Sequence, residues 1–149
     1  MCGFLGFDTS NYTTSVAFYN GNTILQQKRL LPVKEGERGI RQSDAVFHHT
    51  KAYPELLENL LSEANGKIKA VGVSTRPTTQ EGSYMPCFIV GEGVARGVAS
   101  AMDVNLHRFS HQQGHIAAGL IGTEGVHEPF VALHLSGGTT ELLECRDGK

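Results

Sequence analysis

The amino-acid sequence predicts an α/β fold in which helices cover a mixed β-sheet. Three observations carry this prediction: three strand-like segments at the start, the alternation of strands and helices that follows, and a last pair of strands around two glycines. Strand–helix–strand connections imply parallel pairing with right-handed crossovers, whereas the opening meander implies antiparallel pairing. A chain of 149 residues, of which 40% are hydrophobic, is long enough to bury a core of this kind.

The N-terminal segment is predicted to form an antiparallel meander. Its strands fall at 4–8, 15–19 and 23–31, and they are separated by the polar turn 9–14 and by Asn20-Gly21-Asn22. An Asn-Gly pair between two apolar runs is a strong signal for a tight hairpin.

A long amphipathic helix is predicted after the meander. Ser43 and Asp44 can cap its first turn, and apolar residues recur near helical spacing after them (Val46, Tyr53, Leu56, Leu57, Leu60, Leu61). We expect Pro54 to kink or restart this helix and Asn65-Gly66 to end it.

Two strand–helix units are predicted next. A strand at 68–74 precedes a helix that Ser83 is expected to cap, with Pro86 in its first turn. A strand at 104–109 precedes a third helix, which Ser110 is expected to cap and which runs to about residue 121. These units supply the crossovers that make the sheet mixed.

The last segment predicts one more hairpin. Strands at 130–135 and 139–145 flank the turn Ser136-Gly137-Gly138. We therefore expect residues 1–125 to form one α/β domain and residues 126–149 to be the first hairpin of a second, similar domain. The chain is interpreted as a truncated N-terminal part of a longer protein, able to fold but inactive as an enzyme when alone.

Charge and cysteine content narrow the function classes. The 13 Lys and Arg residues against 15 Asp and Glu give a net charge of −2, so no overall field attracts nucleic acid or an acidic membrane. Three widely spaced cysteines without a C-x-x-C pair are typical of a reducing compartment. The first eight residues contain neither a basic start nor a long apolar run, so we expect a cytoplasmic protein with no membrane partner.

Two histidines lie one turn apart at the start of the third predicted helix. His111 and His115 are about 40° apart around the helix, so their imidazoles can bind one transition metal. Open α/β sheets bind ligands at this place, just after the carboxyl end of a strand. The glutamate of the H-E-x-x-H zinc proteases is missing, and two partly exposed histidines with unrelated hydrogen bonds would show the same spacing.

A glycine turn lies near the end of the sequence. In the segment His134-Leu135-Ser136-Gly137-Gly138, the two glycines let backbone N–H groups approach an anion and the hydroxyls that follow add donors. The turn therefore suits a phosphate. An ordinary two-glycine hairpin turn explains the same residues.

A carboxylate ends the first predicted strand. Asp8 precedes Thr9 and Ser10, and further hydroxyls follow at positions 13–15. A turn of this kind can hold a phosphate while Asp8 contacts a bound cation directly or through water. The alternative is a solvated hairpin.

Four motifs occur in a recognisable order, at residues 5–10, 53–57, 110–118 and 129–138. In this order and spacing they resemble the glycoprotease family, formerly called O-sialoglycoprotein endopeptidases or peptidase family M22. The best understood members of that family are tRNA threonylcarbamoyl transferases. The resemblance covers the whole chain, and its specificity comes from the histidine pair followed by the glycine turn about 20 residues later.

The resemblance implies an actin-like ATPase fold, of the type of sugar kinases, Hsp70 and ribonuclease H, with two related domains around a cleft. It implies transfer of threonylcarbamoyl from threonylcarbamoyl-adenylate to N6 of the adenosine beside the tRNA anticodon. On that model, His111 and His115 hold one iron or zinc ion, which acts as a Lewis acid. The family's third metal ligand is an aspartate that lies downstream of these residues.

The resemblance also implies further binding roles. The nucleotide part of the substrate is expected on His134, Leu135, Ser136, Gly137 and Gly138. ATP, or an adenylate with magnesium, is a second cofactor class, with Asp8, Thr9 and Ser10 as the candidate phosphate and cation residues. The expected partners are tRNA, the adenylate donor and proteins of the same modification pathway.

The chain departs from the family pattern in two places. Thr139 replaces a histidine, and residues 74–86 replace a glycine-proline-glycine loop. These departures leave several alternatives open. One is a divergent, non-catalytic partner that docks through the helix of residues 86–102, and others are an ATPase, a sugar kinase or a metallopeptidase of the same fold.

Overall fold

The structure, a computed structural model, describes residues 2–33, 39–135 and 140–146. Its elements are, in chain order, β1 (Cys2–Asp8), β2 (Thr13–Tyr19), β3 (Ile24–Leu30), α1 (Gln42–Glu63), β4 (Lys67–Arg76), α2 (Phe88–Met102), β5 (Asn105–Ser110), α3 (His111–Leu120), β6 (Phe130–Leu135) and β7 (Thr140–Cys145). The chain divides into two compact units, Met1–His111 and Gln112–Lys149.

The first unit contains a five-stranded mixed sheet with the strand order β3-β2-β1-β4-β5. Strands β1, β2 and β3 pair antiparallel, whereas β1 pairs parallel with β4 and β4 pairs parallel with β5. The predicted meander and the predicted parallel pairing are therefore both confirmed. The Asn-Gly hairpin forms as expected, with Gly21 at φ 94° and the side chain of Asn20 accepting the N–H groups of Asn22 and Thr23.

One face of this sheet carries the core, which α1 and α2 cover. Burial alternates along β1, where Leu5 and Phe7 are buried between more exposed neighbours, as the two-residue period of a strand requires. The other buried members from strands and helices are Val16, Phe18, Ala52, Tyr53, Leu56, Leu60, Ile68, Val71, Val73, Ala95 and Ala99.

The start of α1 corrects two expectations. Its cap residue is Arg41, with no side-chain cap hydrogen bond, so the predicted cap at Ser43 and Asp44 is wrong. The helix is also continuous through Pro54, so the predicted restart there is wrong. Burial of Tyr53 and Leu56 on both sides of the proline holds the helix against the sheet, which outweighs the missing backbone hydrogen bond.

The start of α2 corrects a third expectation. The helix begins at Phe88, so Pro86 lies before its first turn and Ser83 is not its cap. Ser83 Oγ instead accepts the backbone N–H of Thr78 at 3.0 Å, which stabilises the preceding loop. A turn in which the N–H of Phe88 donates to the carbonyl of Met85 at 3.2 Å leads directly into the helix.

Gly91 allows α2 to approach β1 closely. A Cβ atom at this position would lie 2.8 Å from Thr9 Oγ1 and 3.4 Å from Tyr53 Oη. The Thr9 hydroxyl is fixed, because it donates to the carbonyl of Cys87 at 2.9 Å and accepts the N–H of Gly91 at 3.2 Å. We expect Gly91→Ala to lower the free energy of unfolding by about 1–2 kcal/mol, measured by chemical denaturation.

Gly97 provides the matched control on the same helix. It is exposed, and no heavy atom lies within 4 Å of the Cβ that an alanine would add. Gly97→Ala should therefore raise the free energy of unfolding by about 0.5–1 kcal/mol through helix propensity alone. Equal effects of the two substitutions would contradict the close approach at Gly91.

The second unit contains most of α3 and the antiparallel hairpin of β6 and β7. Cross-strand pairs include Leu133 with Leu142 and His134 with Glu141. Four aliphatic side chains of the hairpin are 61–74% exposed: Val131, Leu133, Leu135 and Leu142. The predicted turn Ser136-Gly137-Gly138 and Thr139 lie outside the described residues.

Two further observations concern the whole described chain. Cys2, Cys87 and Cys145 are all free thiols. Within residues 2–33, 39–135 and 140–146, every helix is too short or too polar to cross a lipid bilayer.

Candidate functional site

The carboxyl ends of two parallel strands, β1 and β5, bring polar side chains together in the first unit. Strand β1 ends at Asp8, and β5 ends directly before His111. Although these two residues are 103 positions apart in the chain, His111 Nδ1 lies 2.9 Å from Asp8 Oδ2. The sequence predicted both as candidate site residues, and the structure places them in contact.

The carboxylate of Asp8 is held by several donors. The backbone N–H of Ser10 donates to Oδ1 at 2.8 Å. Burial by itself would raise the pKa of Asp8, but the hydrogen bond and charge of His111, together with hydrogen bonds from Ser10 and Ser74, outweigh burial and lower this pKa to about 2. Asp8 is therefore an ionised hydrogen-bond acceptor at neutral pH.

The side chain of Thr9 is fully buried and bonds to the protein's own backbone through the two contacts at Cys87 and Gly91 given above. Next to it, the Tyr53 hydroxyl lies within hydrogen-bonding distance of the carbonyls of Asp8 at 3.2 Å and Ser15 at 3.3 Å, which ties α1 to β1 and β2. Burial and the nearby charge of Asp8 raise the pKa of Tyr53, so its hydroxyl remains a donor. The phosphate role predicted for Thr9 stays a prediction.

Sequence reasoning missed His49, which α1 places in the interior. Its side chain is fully buried, and Nδ1 makes a 2.8 Å hydrogen bond with Thr14 Oγ1. Nε2 is buried without a hydrogen-bond partner among the described residues. Burial lowers the pKa of His49 to about 4, with the charge of Asp8 opposing the shift and His48 adding to it. The signal that would have found it is the helical spacing that His49 shares with Ala45, Ala52 and Tyr53.

The second unit contains a separate polar cluster. The ring centroids of His115 and His134 are 5.5 Å apart. Glu141 Oε2 lies 3.5 Å from His134 Nδ1 and accepts a 2.6 Å hydrogen bond from Gln112 Nε2. Sequence reasoning missed Glu141 and Gln112. The signal for Glu141 is its pairing with His134 across the hairpin, which depends on the register of β6 and β7.

The two predicted metal ligands lie on one helix, because α3 begins at His111 and contains His115 one turn later. Imidazole is a suitable ligand for iron and for zinc. In the part of the chain that the structure describes, no group of three His, Cys, Asp or Glu residues has the geometry of a metal site. Of the predicted substrate residues, His134 is partly buried and Leu135 is 67% exposed at the end of β6.

Comparison with known proteins decides the family. The model of the TsaD family, described as tRNA N6-adenosine threonylcarbamoyltransferase, matches residues 21–149. The chain belongs to the TsaD family.

The curated relatives of this TsaD chain carry the same description. The tRNA N6-adenosine threonylcarbamoyltransferase of Thermus thermophilus is 34% identical over 148 residues, covering 96% of this chain and 44% of the relative. That of Pyrobaculum calidifontis is 31% identical over 148 residues, covering 97% of this chain and 42% of the relative. The TsaD chain described here therefore spans less than half the length of these relatives.

Solved structures share the fold of this TsaD chain. YeaZ from Pseudomonas aeruginosa superposes with a TM-score of 0.60 at 19% identity, covering 97% of this chain and 66% of YeaZ. A Ppx/GppA family member from Aquifex aeolicus superposes with a TM-score of 0.50 at 15% identity, covering 99% of this chain and 48% of that protein. At these identities the likeness concerns the fold alone, and the expected α/β fold of actin-like ATPase type is confirmed.

Proposed function

We propose that this chain is part of a metal-dependent tRNA N6-adenosine threonylcarbamoyltransferase. The observation that carries the proposal is that the residues matched by the TsaD family include the histidine pair of α3 and the glycine-containing segment 134–138. The contact between Asp8 and His111 supports it, because both lie at the carboxyl ends of parallel strands, where α/β sheets bind ligands.

In the proposed reaction, the N6 amine of adenosine attacks the carbonyl carbon of the threonylcarbamoyl group on threonylcarbamoyl-adenylate. A C–N bond forms, the C–O bond to the adenylate phosphate breaks, AMP leaves with the electron pair, and N6 loses a proton. An iron or zinc ion, when bound, supplies Lewis-acid stabilisation of the negative charge that develops on the acyl donor. We assign His111 and His115 as its ligands in this chain.

We assign the nucleotide part of the donor to His134, Leu135, Ser136, Gly137 and Gly138. Within the second unit, the 5.5 Å distance between the rings of His115 and His134 supports this assignment, because it places a proposed metal ligand beside a proposed substrate residue. Glu141 Oε2 lies 3.5 Å from His134 Nδ1, but among the described residues this buried nitrogen makes no hydrogen bond.

Asp8, Thr9 and Ser10 are the proposed site for phosphate or magnesium if ATP or an adenylate with magnesium is a second cofactor. The ionised carboxylate of Asp8 supports this assignment, since carboxylate oxygens suit magnesium. From the proposed tRNA substrate we also infer a cytoplasmic location and protein partners from the same modification pathway.

We further propose that residues 126–149 begin a second domain of the same architecture. The exposed aliphatic face of the β6–β7 hairpin supports this division, because a two-stranded sheet is only marginally stable in water without a covering layer. The greater length of the curated relatives, of which this chain spans 44% in the Thermus protein, is consistent with such a domain.

Removing either histidine of α3 is expected to remove the metal. We expect about one iron or zinc ion per chain in the natural protein. In His111→Ala and His115→Ala we expect the metal content to be at least about tenfold lower, because loss of a group at a metal site typically lowers metal affinity by about 10–100-fold. Elemental analysis by mass spectrometry measures this content. His107→Ala, which changes an exposed histidine on β5, should keep the metal. Equally little metal in the wild type and in His115→Ala would end the metal proposal.

Transfer activity is tested with the natural protein, its partners, tRNA and threonylcarbamoyl-adenylate. We expect adenylate-dependent modification of tRNA, reduced at least about 100-fold by His111→Ala or His115→Ala and unchanged by His107→Ala. Failure of the wild type to modify tRNA would remove the proposed substrate. Phosphorylation of a sugar or hydrolysis of ATP without tRNA would instead indicate a kinase or an ATPase, and activation of a partner by the double histidine variant would indicate a non-catalytic role.

A further inference from the structure

The contact between Asp8 and His111 has a geometry that restricts the histidine ring. The Nδ1–Oδ2 distance of 2.9 Å is that of a strong hydrogen bond. We assign the proton of this contact to Nδ1, because the Oδ2 atom of a carboxylate accepts hydrogen bonds. In a neutral imidazole the lone pair then lies on Nε2.

The position of the carboxylate is itself fixed by its surroundings. The backbone N–H of Ser10 holds Oδ1 at 2.8 Å, and Ser74 on β4 contributes a further hydrogen bond. The Asp8 side chain is only 22% exposed. Asp8 therefore presents Oδ2 to the ring from a rigid position at the end of a central strand of the sheet.

The ring of His111 is supported on a second side. The ring centroid of Phe88, the first residue of α2, lies 6.4 Å away, and the two planes are tilted by 58°. Phe88 is buried, with 2% of its surface exposed. The ring of Phe88 and the carboxylate of Asp8 together restrict both the tilt of the His111 imidazole and its rotation about χ2.

We propose that Asp8 is a positioning residue that fixes the Nδ1–H tautomer of His111 and so directs the Nε2 lone pair to the metal. The inference rests on the metal role of His111 in the proposed function. Metal-bound histidines commonly donate their second ring N–H to a carboxylate, which orients the ring and raises its basicity. In this account Asp8 acts through His111 and does not itself contact the ion.

The tautomer is measured in the metal-free protein, by two-bond ¹H–¹⁵N correlation of ¹⁵N-histidine-labelled chain. We expect His111 to be in the Nδ1–H form in the wild type and to lose that preference in Asp8→Asn, whose amide can donate as well as accept. Asp8→Glu, which keeps an acceptor, should retain more of the Nδ1–H form than Asp8→Asn. Asp103→Asn is the matched control, because Asp103 is exposed on the far end of α2. If His111 is in the Nε2–H form in the wild type, that result alone overturns the proposal.

Zinc titration of the natural protein separates this inference from the proposed function. We expect Asp8→Asn to bind Zn²⁺ about 10–100-fold more weakly than the wild type, and Asp103→Asn to bind it equally well. If the wild type binds Zn²⁺ and Asp8→Asn binds it as tightly, the positioning role is overturned while the metal site stands. If the wild type shows the Nδ1–H tautomer but binds neither zinc nor iron, the metal role of His111 fails.

Discussion

Replacing Gly3 with alanine is expected to lower the free energy of unfolding by about 1–3 kcal/mol, the range of overpacking in a filled core. Gly3 is buried on β1, and a Cβ atom there would overlap the ring of Phe18, lying 2.6 Å from Cζ and still closer to Cε2. Phe18 is 1% exposed and belongs to the core, so a shift of its ring must displace other packed side chains. Denaturant unfolding of the two proteins measures the difference.

Gly6, on the opposite face of the same strand, is the matched control. No heavy atom lies within 4 Å of the Cβ that an alanine would add, so Gly6→Ala should change the free energy of unfolding by less than about 0.5 kcal/mol. The variant Phe18→Leu should recover part of the loss when combined with Gly3→Ala, because the pair is in contact and its effects are not additive. Additive effects would show that the ring of Phe18 does not cause the destabilisation.

Acidification from pH 7 to pH 4 is expected to lower the free energy of unfolding by up to about 3 kcal/mol through His49 alone. The pKa of His49 falls from 6.5 to about 4 on folding, mainly because the ring is buried. Above pH 6.5 both states hold the ring neutral. Between pH 6.5 and 4 the unfolded chain binds a proton that the folded chain does not, so stability falls as the pH falls.

The contribution of His49 to the pH dependence of stability is measured by substituting His49 and by restricting the measurement to pH 6.5–4. His49→Asn removes the titrating group but keeps an amide near Thr14, so it should flatten the pH dependence between 6.5 and 4, measured by urea unfolding at several pH values. His107→Asn, at an exposed position, should leave that dependence as in the wild type. Asp8, whose pKa falls from 3.8 to about 2, affects stability mainly below this window. An unchanged slope in His49→Asn would refute the assignment.

Local signals were sufficient for the strands and the Asn-Gly turn but not for the starts of α1 and α2. The strand at residues 4–8 and the Asn20-Gly21 turn are determined over a few residues, and both were predicted correctly. The start of α2 depends instead on a distant residue, since Gln42 Oε1 on α1 accepts the N–H of Cys87 at 3.2 Å. The sequence around Ser83 gives no sign of that contact. The general preference for serine as a helix cap therefore led to the wrong predicted start of α2.

The same distinction applies to the candidate site. Asp8 and His111 were identified one at a time from their places after strands, but their contact depends on β4 lying between β1 and β5 in the sheet. His49 was missed because a polar residue on a buried helix face is informative only once its partner, Thr14, is known. Glu141 was missed because its position opposite His134 follows from the hairpin register.

The edge strand β3 has a consequence for the behaviour of the protein in concentrated solution. It is the outermost strand beside β2 and is paired on one side only among the described residues. Lys28 and Arg29 lie next to each other on it, and Arg29 is held by Glu55 at 2.7 Å. Charged side chains on an edge strand, lysine above all, disfavour pairing with another chain, so we expect the exposed Lys28 to oppose aggregation through β3.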